Sequence, residues 1–136
     1  KNNIANYIQE TDVDNLYLIP AGNVPPNPSE LLVSTKMQAM IEELSQNFDI
    51  IIFDAPPCLI VADALILARL VDFSIIVTAQ NSTKIDNLKR AKSAIENVGG
   101  KVAGVVLNKV QVSAKSYENS YYYGEKLANI KPPKRR

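Results

Sequence analysis

The spacing of apolar residues changes along the chain, and the changes mark out its elements. Ile4, Ala5, Tyr7 and Ile8 predict a short helix within residues 1–14, followed by a polar connection. Leu16, Tyr17, Leu18 and Ile19 form a short strand candidate closed by Pro20 and Gly22. Pro25, Pro26 and Pro28 fix φ and remove amide donors, so the segment around them reads as a stiff, extended loop. Ser29 is placed to cap the next helix, with Glu30 in its first turn. Leu31, Met37, Met40, Ile41, Leu44 and Phe48 then recur at helical spacing and predict one amphipathic helix of about four to five turns facing a sheet.

The central stretch is Asp49-Ile50-Ile51-Ile52-Phe53-Asp54-Ala55-Pro56-Pro57. Consecutive apolar, largely β-branched residues predict a strand buried on both faces, as an all-parallel sheet covered by helices requires. Asp63 is expected to cap a helix carrying Ala64, Leu65, Leu67, Ala68 and Leu70, and residues 73–78 form the next strand. Thr83 and Asp86 have capping spacing ahead of a helix whose apolar stripe is Ile85, Leu88, Ala91, Ile95 and Val98. Gly99-Gly100 ends that helix, and residues 102–107 are the last buried strand. Alternating strands and helices at this rhythm predict an α/β fold, a mostly parallel sheet flanked by helices. The periodicity fades beyond Asn108, which divides the chain into a folded part, residues 1–110, and a tyrosine-rich flexible tail, residues 111–136.

Composition narrows the picture without redirecting it. A length of 136 residues suits one domain with a real core, and the 46% apolar and 21% charged content is that of an ordinary globular chain. Cys58 is the single cysteine, so no intrachain disulfide forms and a reducing compartment is expected. The sequence contains no histidine, which excludes imidazole as a general base or zinc ligand. No window is apolar enough to cross a bilayer. The net charge of +1 argues neither for nor against a nucleic-acid partner, and none is expected.

Three places carry candidate chemistry. Asp54 ends the central strand at the sheet edge where open α/β folds place ligands, so its carboxylate either holds a water ligand of Mg²⁺ or is hydrogen-bonded to loop amides. Asn108 and Lys109 directly follow a buried strand. An Asn amide matches the donor and acceptor edge of adenine, and a lysine stem covers a base; the alternative is a polar turn. A guanine site normally adds a carboxylate two residues beyond the lysine, where this chain has Gln111. Tyr117, Tyr121, Tyr122 and Tyr123 are too closely spaced to share one buried face, and they suit presentation of phenols to another molecule's site; a stacking platform, a partner-binding patch and a terminal helix are the alternatives. The sequence has no GxxxxGK[ST] loop to cradle a triphosphate.

The chain resembles the carboxyl-terminal half of the bacterial protein-tyrosine kinases that control capsule and exopolysaccharide synthesis. The resemblance rests on Pro25-Pro26-Asn27-Pro28-Ser29-Glu30-Leu31-Leu32, on residues 48–57, on Asp63-Ala64, on Gly104-Val105-Val106-Leu107-Asn108-Lys109 and on the tyrosine cluster. It implies a deviant P-loop NTPase fold, here without its amino-terminal part, and use of ATP and Mg²⁺. By the same resemblance Asp54 is the catalytic, metal-directed acid of the Walker B motif, Asn108 and Lys109 lie by the adenine, and Tyr117, Tyr121, Tyr122 and Tyr123 are autophosphorylation sites. The implied partners are further copies in a ring-like homo-oligomer, a membrane-spanning polysaccharide co-polymerase that activates the kinase, and a cognate tyrosine phosphatase. The implied location is the cytoplasmic face of the cell membrane. Two other readings stay open: a partition- or scaffold-type deviant P-loop ATPase, and a non-catalytic adaptor acting through its tail.

Overall fold

The computed structural model describes residues 4–23 and 25–111. A 3-10 turn at Ile4–Tyr7 leads into strand β1, Gln9–Glu10, which pairs antiparallel with β2, Tyr17–Leu18. Helices α1, Pro28–Leu32, and α2, Thr35–Ser45, follow, and then α3, Asp63–Ala68. Strand β3, Ser74–Ala79, helix α4, Ile85–Asn97, and strand β4, Val102–Asn108, complete the order. Strands β3 and β4 pair in parallel, with α4 as the connection that parallel neighbours require. The fold is α/β, with both parallel and antiparallel strand pairs and flanking helices.

The core lies where α3 and α4 meet beneath the parallel pair. Leu67 and Ala68 of α3 and Ala91 and Ile95 of α4 are buried, as is Leu44 of α2. Gly100 sets the closeness of that contact. A Cβ added there would lie 2.9 Å from Cγ2 of Ile95 and 3.0 Å from both Cβ and the carbonyl oxygen of Ala68. The approach to Gly100 is made by the predicted helix stop. Gly99 takes φ +84, its N–H donates to Glu96, and the N–H of Gly100 donates to Ile95 at 3.0 Å. These two bonds satisfy carbonyls that the helix end would otherwise leave without partners. Thr78, buried in β3, donates its hydroxyl to the carbonyl of Val106 at 3.1 Å and ties the strands together beyond their ladder.

Several local expectations are corrected. The single helix expected from Leu31 to Phe48 is two, because Ser34 has extended φ/ψ and caps α2 by accepting the N–H of Met37 at 3.2 Å. Ser29 lies inside α1 and caps nothing, and Asp63 is the first residue of α3, whose N-cap is Ala62. Thr83 precedes Lys84, the N-cap of α4, and its hydroxyl instead accepts the N–H of Ala79 at 3.0 Å, closing the turn after β3.

Residues 50–53, expected as a strand buried on both faces, alternate instead. Ile51 and Phe53 are half-buried, whereas Ile50 and Ile52 are 78% and 85% exposed. The segment makes no backbone hydrogen bond to any described residue, and a strand is defined by such a partner rather than by its own composition. The expected burial of β4 is likewise partial. Val105, Val106 and Leu107 remain exposed, and β4 pairs with β3 alone among the described residues.

Candidate functional site

Both parallel strands run to the same edge, and the turns leaving them are tied to each other. After β3 the chain turns through Gln80 and Asn81, the latter at φ +60, and Thr83 closes the turn. After β4, Lys109 takes φ +55 and donates its N–H to Oδ1 of its neighbour Asn108 at 2.7 Å. The backbone N–H of Gln80 donates to the carbonyl of Asn108 at 2.9 Å. The side-chain carbonyl of Gln80 accepts the N–H of Gln111 at 2.8 Å.

This arrangement leaves specific chemical capacity at Asn108. With Oδ1 already accepting one N–H, the amide keeps its two Nδ2 hydrogens and the second Oδ1 lone pair, a donor and an acceptor side by side. The Lys109 side chain forms no ion pair with a described residue and is exposed, so its charge is available to a ligand. The Gln111 side chain is free of hydrogen bonds to described residues while its backbone N–H is held.

Asp54 follows the unpaired apolar segment. Its carboxylate is exposed and makes no hydrogen bond or ion pair with a described residue, so the alternative in which loop amides hold it is not observed among those residues. Pro56 and Pro57 follow directly, and the carbonyl of Pro57 accepts the N–H groups of Ile60 and Val61 to form the turn before α3. No hydrogen bond links Asp54 to the Asn108 turn, so the structure ties Asn108 and Lys109 to Gln80 but does not join Asp54 to them. Tyr117, Tyr121, Tyr122 and Tyr123, with the rest of the expected tail from residue 112 onward, lie outside the described residues.

A single carboxylate is a partial fit to a metal. No group of three or more His, Cys, Asp or Glu side chains is assembled among the described residues, so a bound Mg²⁺ would draw most of its oxygens from water and phosphate. The donor and acceptor pair on Asn108 fits an adenine edge. A recess of about 370 Å³ lies elsewhere, along the β1–β2 turn, lined by residues that include Glu10, Asp14 and Tyr17. It contains none of the candidate residues and is assigned no part in nucleotide chemistry. The sequence reading missed Gln80, whose contact with Gln111 spans 31 positions. Gln80 directly follows β3 as Lys109 directly follows β4, but no sequence pattern signals its contact with Gln111.

Comparison with known proteins places these observations. The chain has the α/β fold of P-loop NTPase-like kinase domains: it superposes on the kinase domain of Escherichia coli tyrosine kinase ETK with a TM-score of 0.78 and 31% identity, over 83% of this chain and 44% of that one. It is 38% identical to the tyrosine-protein kinase CpsD of Streptococcus agalactiae over 123 residues, 90% of this chain and 54% of that protein. It is 34% identical to the tyrosine-protein kinase YwqD of Bacillus subtilis over 126 residues, 93% of this chain and 52% of that protein. No family model matches. The chain matches the bacterial tyrosine-kinase family associated with capsule and exopolysaccharide biosynthesis over the carboxyl-terminal portion of the kinase domain. It spans about half the length of the curated relatives it matches.

Proposed function

We propose that this chain forms the base-side and metal-side part of an ATP-dependent protein-tyrosine autokinase that regulates capsular or exopolysaccharide synthesis and export. The observation that carries the reading is the similarity to CpsD over 90% of the chain, a span that includes most of the structure described here. The uncommitted carboxylate of Asp54 and the paired donor and acceptor of Asn108 support it chemically.

In this reading Asp54 would help to hold Mg²⁺ through a water molecule, and the ion would supply charge neutralisation on the phosphates. Asn108 accepts from the exocyclic amino group of adenine and donates to a ring nitrogen, while the stem of Lys109 covers the base. The phenol oxygen of Tyr117, Tyr121, Tyr122 or Tyr123 attacks the γ-phosphorus. A P–O bond forms there, the bond to the ADP oxygen breaks, and the phenolic proton leaves to solvent. Each phosphotyrosine adds a charge of about −1.5 to −2, which in this reading makes the cluster an assembly switch by repulsion between neighbouring tails. The proposed setting is the cytoplasmic face of the membrane. There the protein forms a ring-like homo-oligomer, is activated by a membrane-spanning polysaccharide co-polymerase, and is reversed by a tyrosine phosphatase. No helix among the described residues is long and apolar enough to cross a membrane. In this reading attachment comes from the partner or from a fused membrane segment.

The test is mass spectrometry of tail peptides after incubating the complete protein with Mg-ATP. Phosphate on residues 117–123 is expected. Label found only elsewhere overturns the tail assignment. ATP hydrolysis that persists without phosphotyrosine after Tyr-to-Phe changes at all four positions favours the scaffold-type ATPase.

A further inference from the structure

Gln80 grips the turn after β4 at two points. Its backbone N–H donates to the carbonyl of Asn108 at 2.9 Å, and its side-chain Oε1 accepts the N–H of Gln111 at 2.8 Å. The two contacts bracket Asn108 and Lys109 from either end. Between them Lys109 is held at φ +55, a conformation disfavoured for any residue with a Cβ unless its surroundings impose it. That conformation accompanies the 2.7 Å bond from the Lys109 N–H to Oδ1 of Asn108, which decides which end of the Asn amide is occupied.

We propose that Gln80 is a positioning residue for nucleotide-base recognition: its side-chain carbonyl fixes the 108–111 turn, and the turn fixes the orientation of the Asn108 amide. This rests on the reading of Asn108 as the adenine contact. Adenine offers a ring acceptor beside an exocyclic donor, which complements the free Nδ2 hydrogens and the remaining Oδ1 lone pair. Guanine offers two acceptors on the corresponding edge, so Oδ1 meets no donor there. A loosened turn lets the amide rotate, and the preference for adenine shrinks with it.

Two substitutions separate this role from simple structural support. Gln80→Met keeps the length of the side chain and removes the acceptor, whereas Gln80→Glu retains one. In the 136-residue chain, amide exchange at Gln111 is expected to quicken about 3- to 10-fold in the Met variant and to stay slow in the Glu variant. In the complete protein the Met variant should bind ATP about 3- to 10-fold more weakly, with GTP affinity changed less, and the Glu variant should recover the ATP preference. Unchanged exchange at Gln111 overturns the proposal, as does an equal loss of ATP and GTP binding accompanied by faster exchange throughout β3 and β4. Asn108→Ala distinguishes the two levels. If it leaves ATP affinity intact, the base contact itself is wrong and the role of Gln80 falls with it. If it weakens ATP binding while Gln80→Met does not, the role of Gln80 alone is overturned.

Discussion

The hydroxyl of Ser29 donates to Oδ1 of Asp63 at 2.8 Å, joining α1 to α3 across 34 positions of sequence. The proline-rich loop before α1 and the turn after Pro57 are thereby held to one another by side chains, in a part of the chain with few backbone ties. A hydroxyl bonded to a carboxylate contributes more than a neutral pair when partly buried, on the order of 1.5–3 kcal/mol. Ser29→Ala should therefore lower the midpoint of thermal unfolding by several degrees, as read by circular dichroism. An unchanged midpoint would show the bond to be energetically idle.

The two glycines after α4 should fail for different reasons. Gly99→Ala places a Cβ at φ +84 with open space around it, so its cost is conformational, about 1 kcal/mol. Gly100→Ala meets Ile95 and Ala68 at about 3 Å and must push α3 from α4, a cost of about 1–3 kcal/mol. Asn at position 99 tolerates left-handed geometry, so Gly99→Asn should recover most of the first loss, while no side chain restores position 100. Denaturant midpoints of the three variants test this ordering.

Ile95 is buried at the contact between α4 and α3. Ile95→Ala removes the methyl and methylene groups that fill that space and should cost about 2–5 kcal/mol. A loss below 1 kcal/mol would mean that the core collapses around the change or is already loose.

Asp54 makes no described hydrogen bond, so Asp54→Asn should leave the fold of the complete protein intact. Turnover at limiting Mg²⁺ is expected to fall about 10- to 100-fold, the range seen when a group orienting a metal ligand is neutralised. Turnover indistinguishable from the parent under those conditions would remove Asp54 from the metal site.

Local chemistry was legible in the sequence; long-range pairing was not. The stop at Gly99-Gly100 and the strands at β3 and β4 were readable because a glycine stop and a β-branched run act on their own residues. The break at Ser34 was hidden by Leu31 and Met37, which keep helical spacing across it; the missed signal was a serine three residues before an apolar helical position. Residues 50–53 mislead for a related reason: a run of isoleucines reports a tendency to be buried in a sheet, but it cannot report which strand supplies the hydrogen bonds. At the candidate site, Asn108 and Lys109 could be found from their place after an apolar strand. The clamp from Gln80 could not, because nothing in a sequence announces a contact across 31 positions.

Ile75 and Val77 each stay 64% exposed on β3, and the two-stranded parallel sheet has few bonds of its own to offset wetting so much aliphatic surface. Water in contact with these side chains favours self-association as protein is added. Stability measured for the 136-residue chain is therefore expected to depend on its concentration, and dilution is the simplest probe of how much order the sheet retains when molecules are kept apart.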